Sequence, residues 1–184
     1  MGKRTETSTI HEGAKFDFVR VDVTNADGTS YSREIVRHPG AVCVLGVLED
    51  GRIPMIRNYR LAVSSWEWEL PAGTLEKGEA PSVCAIRELE EETGYRAARA
   101  ERIGTFLTTP GMTDELMHAF VATGLSKTQQ ALEPGERIEV HEKSVDEAMA
   151  MLERNEIRDG KSMLALLLAE RRGLIPAVRS EADR

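Results

Sequence analysis

The chain has 184 residues, long enough for one domain with a sizeable core. At 41% hydrophobic and 30% charged residues it has the balance of a soluble globular protein. A formal charge of −7, from 31 acids against 24 lysines and arginines, excludes the basic surface that binds nucleic acid or anionic membrane non-specifically.

Residues 1 to about 14 are polar, lack the apolar stretch of a signal peptide and read as a mobile arm. The longest apolar run, Met163 to Ala169, is far short of the ~20 residues that span a bilayer, so the expectation is a cytoplasmic protein. Phe16 to Val23 alternates loosely and is followed by the turn Asn25-Ala26-Asp27-Gly28. Tyr31 to Arg37 then resumes the extended pattern, which predicts a hairpin. Ala41 to Leu48 is nearly continuous in apolar residues, as in a strand buried on both faces. Asp50-Gly51 turns the chain into a strand over Arg52 to Tyr59, where Pro54 demands a sheet edge or a bulge.

A helix is predicted from about Ala80 to Thr93, with Pro81 in its first turn and Gly94 just past its end. At about 100° per residue, Ile86, Leu89 and Thr93 share one face, and Glu88, Glu91 and Glu92 project from roughly the opposite one. Strands over Arg102 to Leu107 and Leu116 to Thr123 flank the turn-rich loop Thr109 to Glu115. An acidic loop starts at Glu133 and enters a short strand that ends near Glu142. Ser144 and Glu147 form a capping box for a helix to about Arg154, and Asp159 caps a last helix ending near Arg172. The order of elements predicts an α/β protein, a mixed sheet sandwiched by helices. Cys43 and Cys84 lie in apolar stretches and read as buried, reduced thiols.

Three glutamates within little more than one helical turn repel one another unless a cation sits among them. Glu88 and Glu92, four apart, reach one point beside the helix, and Glu91 borders it. Ligands that are all oxygen favour a hard cation, Mg²⁺ or Mn²⁺. An acidic helix face alone is more often solvated surface.

The wider spacing decides between the two. Gly73, Glu79, Arg87-Glu88-Leu89, Glu91-Glu92 and Gly94-Tyr95 occupy nine fixed positions over 23 residues, too many for chance. This segment resembles the Nudix box, and the chain is identified as a member of the Nudix hydrolase family over roughly residues 30 to 172. The resemblance implies a Nudix-type α/β/α sandwich with divalent metal. Its substrate would be a nucleoside diphosphate linked to another moiety. It implies that Glu88 and Glu92 are the principal metal ligands, with Glu91 as a further ligand or water-orienting acid. The backbone carbonyl of Ala72 would be another ligand. Arg87 would hold the glutamates in place and Glu79 would orient loop and helix.

Trp68 to Gly73 and Pro110, 16 residues after Gly94, resemble the ADP-ribose pyrophosphatase branch. That likeness implies substrate contacts at Arg60, Gly111 and Glu115, with Glu76 less clear. It also implies a catalytic carboxylate at Glu136, with Glu139 the second choice. It further implies a homodimer in which Glu34 and Arg33 face the partner's substrate. On this reading residues 1–39 form an arm and strand pair for dimerisation, 40–175 the hydrolase domain and 176–184 a tail. ADP-ribose would be cut to AMP and ribose 5-phosphate. The alternatives are another nucleotide sugar such as GDP-mannose, or a nucleotide-binding module without turnover. Phe16, Tyr31, Trp66 and Trp68 are candidates for stacking on a base, although packing is the commoner use.

Overall fold

The computed structural model describes residues 4–175, and the expected tail at 176–184 lies outside the described residues. Residues 4–12 of the polar start, expected to be a mobile arm, form a strand. β1 (Arg4–Glu12) pairs antiparallel with β2 (Asp17–Thr24), which pairs with β3 (Ser30–Arg37). All nine β1 side chains are exposed, so no alternation marks this strand in the sequence. The expected hairpin from β2 to β3 is present, its turn tied by the Thr29 N–H donating to Asp27 Oδ1 at 2.9 Å.

β4 (Ala41–Gly46) is buried along its whole length and serves two cores at once. Successive side chains of a strand point to opposite faces. Ala41, Cys43 and Leu45 enter one core with β5 (Ile53–Arg60) and the carboxyl-terminal helices. Val42 and Val44 enter the other, with Cys84, Ala85 and Leu89 of α1 (Pro81–Thr93). The sheet that carries β4 has the order β7-β4-β9-β8, built with β7 (Ala72–Thr74), β8 (Tyr95–Leu107) and β9 (Leu116–Lys127). β4 and β9 run parallel and the other pairs antiparallel, so the sheet is mixed. Helices α2 (Val145–Glu153) and α3 (Gly160–Arg171) pack in the first core, opposite α1. The expected α/β/α sandwich is therefore the observed one.

A further sheet has the order β10-β5-β6, formed by β6 (Ser65–Glu69) and β10 (Ile138–Lys143) on either side of β5. Pro54 thus lies in the middle strand, but β6 pairing begins only at Ile56, so at Pro54 the strand is paired on the β10 side alone. β6 and β7 are too short to stand out in the sequence. β8 starts seven residues before the predicted Arg102: Tyr95 and Ala97 are buried while Arg96 and Arg99 are exposed, as suits a strand at the sheet's edge. Cys43 and Cys84 are free and buried.

Candidate active site

The lead-in strand and the acidic helix are fitted to each other atom by atom. α1 starts at Pro81 and ends on Gly94, which has the positive φ of 69° that favours glycine. The helix lies against β7, β4 and β8. A Cβ built on Gly73 would fall inside the Glu88 carboxylate, so only glycine lets β7 pass this close. One residue earlier, the Ala72 N–H donates to Glu92 Oε2 at 2.8 Å. Here the expected geometry needs correcting. Glu92 does not project to solvent opposite the packed face; it is 3% exposed, because β7 covers that side of the helix.

Arg87 organises the remaining carboxylates. Its Nε and Nη2 donate to the two oxygens of Glu79 at 2.9 and 3.0 Å. Its Nη1 donates to Glu88 Oε1 at 2.7 Å and to Glu91 Oε2 at 2.9 Å. The planar fork suits this double task, and a lysine could not match it. The hydrogen bonds from Arg87 hold the Glu79 carboxyl down at about 2. Burial has the opposite effect on the metal-ligand candidates. It raises Glu88 above its ordinary value despite Arg87, and, with repulsion from Glu88 and Glu136, pushes Glu92 up to about 8.

Arg87, Glu88, Glu91 and Glu92, but not Glu79, line a cleft of about 630 Å³ together with Arg60, Ala72, Gly73 and Glu136. Glu136 reaches it from the acidic loop, its Oε2 accepting from the Glu133 N–H at 2.7 Å. A second cleft, of about 570 Å³, shares Arg60 and Ala72–Thr74 with the first. Glu115 lines this one, where its Oε2 accepts from the Thr108 hydroxyl at 2.6 Å. Gly111 and Glu34 line neither cleft of the single chain. Glu34 is exposed on β3 and pairs with Arg20 at 3.0 Å. Glu139 lies on β10, 3.8 Å from Arg57, and also outside both clefts. Trp66 and Trp68 stay away from the clefts too, with the Arg57 guanidinium 5.7 and 5.5 Å from their ring centres.

The NUDIX domain pattern matches residues 37–166, more than half of the chain.

The chain belongs to the Nudix family.

Among curated relatives, an ADP-ribose pyrophosphatase of Bacillus subtilis is 42% identical over 85% of this chain and 86% of its own. A methanol dehydrogenase activator of Bacillus methanolicus is 41% identical over 89% of this chain and 90% of its own. The fold matches a crystal structure of an ADP compounds hydrolase with a TM-score of 0.79 over 95% of both chains, at 21% identity.

Nudix hydrolases generally depend on a divalent metal, and the residues in this cleft fit one. The side-chain donors are carboxylate oxygens, the ligands of a hard cation. The partly buried Glu88 and the buried Glu92 are both held above the ordinary carboxylate value, a state that a cation between them would reverse. Among the described residues no three acidic, histidine or cysteine side chains already form a tight cage.

The Nudix site also contains residues that the sequence did not announce. Lys161, in the first turn of α3, lines the second cleft and pairs with the buried Glu69 at 2.6 Å and Asp159 at 2.9 Å. Lys15, between β1 and β2, lines the first cleft and pairs with Glu133 at 3.0 Å. A lone lysine in a helix start or a loop has no spacing signal. The capping motif at Asp159 was the only hint that this turn of chain is fixed. No helix among the described residues is long and apolar enough to cross a membrane.

Proposed function

We propose that the chain hydrolyses the diphosphate of ADP-ribose to AMP and ribose 5-phosphate, with Mg²⁺, or Mn²⁺ in its place. The observation that carries this reading is the joining of the box carboxylates to a second polar cleft through Arg60 and Ala72–Thr74. A diphosphate with a group at each end needs such a divided site. The 42% identity to a named ADP-ribose pyrophosphatase supports the choice of substrate.

Glu88 and Glu92, with Glu91 and the Ala72 carbonyl, would hold the metal. When bound, the ion neutralises phosphoryl charge and makes water a better nucleophile. Arg87 keeps Glu88 and Glu91 in place, and Glu79 keeps Arg87 in place. Arg60 binds the substrate's negative charge between the clefts. Glu115 in the second cleft would receive the sugar phosphate, with Gly111 outside that cleft on the loop that leads to Glu115. Glu136 takes the proton from the attacking water as the new oxygen–phosphorus bond forms. The bond from phosphorus to the bridging oxygen breaks, and the proton passes to the phosphate that leaves. The place of Glu136 in the same cleft as Glu88 and Glu92 supports this role.

The enzyme is a cytoplasmic homodimer in this reading. The β1-β2-β3 sheet, the expected dimerisation unit, supports the homodimer by exposing Ile10, Phe18 and Tyr31, and Phe16 in the β1–β2 connection is 52% exposed. Glu34 on that sheet would then face the partner's cleft. Sedimentation should give twice the chain mass, 40.8 kDa against the 20.4 kDa of one chain. An active protein sedimenting as a monomer would remove this part of the reading.

A substrate panel tests the activity. The protein is incubated with Mg²⁺ and ADP-ribose, GDP-mannose, NADH or a diadenosine polyphosphate, and products are separated. ADP-ribose should be cleaved fastest. A faster reaction with GDP-mannose would move the reading to another nucleotide sugar, and absence of any product would leave only a binding module.

A further inference from the structure

Arg60 lines both clefts, but it does not hold its own position. Its Nε and Nη2 donate to the two oxygens of Glu69 at 2.7 and 2.5 Å. Glu69 is only 2% exposed, and a carboxylate at that depth is costly unless it is well paired. A second cation supplies the rest. Lys161 Nζ reaches the same Glu69 oxygen as Arg60 Nη2, at 2.6 Å, and also reaches Asp159 Oδ1 at 2.9 Å. Two cations and two carboxylates thus form one balanced cluster. Asp159 is fixed in turn by capping α3, accepting from the Ser162 N–H at 3.0 Å. The start of α3 is therefore connected to the Arg60 guanidinium through charged contacts alone.

We propose that Lys161 is a positioning residue for substrate: it satisfies Glu69 from behind, so that Arg60 is held in place yet keeps charge to offer an anionic diphosphate. This rests on the reading of Arg60 as a substrate-binding residue. Without Lys161, the buried Glu69 carboxylate would draw on Arg60 alone. Its negative charge would then compete with the substrate for the same guanidinium. Lys161 does not touch the reacting atoms, so the effect belongs to binding and not to the chemical step.

The test is a double-mutant cycle on KM and kcat with K161M, R60A and the pair, and K161Q as a second variant. The substrate is whichever member of the nucleotide diphosphate panel the unaltered protein cleaves fastest. A change of preferred substrate would thus revise the function while leaving this test standing. K161M should raise KM about tenfold and leave kcat within about threefold, and should add nothing in the R60A background. An unchanged KM in folded K161M and K161Q overturns the inference, and so does a KM rise that persists in full without Arg60. If neither variant folds, Lys161 is only a structural residue and the inference is overturned. If the unaltered protein cleaves nothing in the panel, the inference falls together with the function.

Discussion

Arg87 is the side chain on which the others in the acidic cleft depend. Three carboxylates share its five N–H groups, and two of the three are candidates for holding the metal. Arg87→Lys keeps the charge but loses the fork, and should lower kcat/KM by about 10- to 100-fold. Steady-state kinetics at saturating Mg²⁺ would check this. Glu79 gives the same cluster a signature in stability. Its folded value of about 2 lies below the ordinary 4.5, so its ion pair stabilises the fold fully above pH 4.5. That contribution is lost as the pH falls through about 2. Glu79→Gln should therefore be less stable than the unaltered protein at pH 7, with the gap closing towards pH 2. Urea midpoints across that window would show it, and a gap that does not vary with pH would rule out the ion pair as its source.

The elements meet at two tight junctions, one between β7 and α1 and the other between β6–β7 and α3. In the second, the Leu70 N–H donates at 2.7 Å to the hydroxyl of Ser162, which is 0% exposed and donates at 2.5 Å to Asp159. Ser162→Ala would leave the Leu70 N–H buried without an acceptor and should cost about 1–3 kcal/mol. Chemical denaturation measures this directly. The same junctions show what could be read from the sequence and what could not. α1 and its ends were legible because Pro81, Gly94 and the glutamate spacing are local signals. The two-faced burial of β4 was legible because the strand is apolar throughout. β1 was not, since a fully exposed strand is defined only by its pairing with β2. Glu92 was misplaced on the solvent side because a helical wheel does not know which strand covers it. Lys161 was missed because its partner Glu69 is 92 residues away in the chain.

Across the protein, segments far apart in sequence converge on one divided cleft. β5 brings Arg60, β7 brings Ala72 to Thr74, α1 brings the box carboxylates, and the loop before β10 brings Glu136. The box alone specifies a metal-dependent cutter of diphosphates. In the proposed function the choice of substrate falls to the second cleft, which Glu115, Lys161 and the shared Arg60 line. The three-stranded sheet of residues 4–37 stands apart from both clefts except through Lys15 and its neighbour Ala14, which suits an element that serves a second subunit. The most direct test of the account is the rate of AMP release from ADP-ribose by the unaltered protein and by Glu92→Gln, each with Mg²⁺ and with a chelator. The account predicts AMP and ribose 5-phosphate from the unaltered protein with Mg²⁺, and a rate at least about 100-fold lower in the variant or with the chelator. Equal rates in the variant and the unaltered protein, or undiminished cleavage with the chelator, would contradict it.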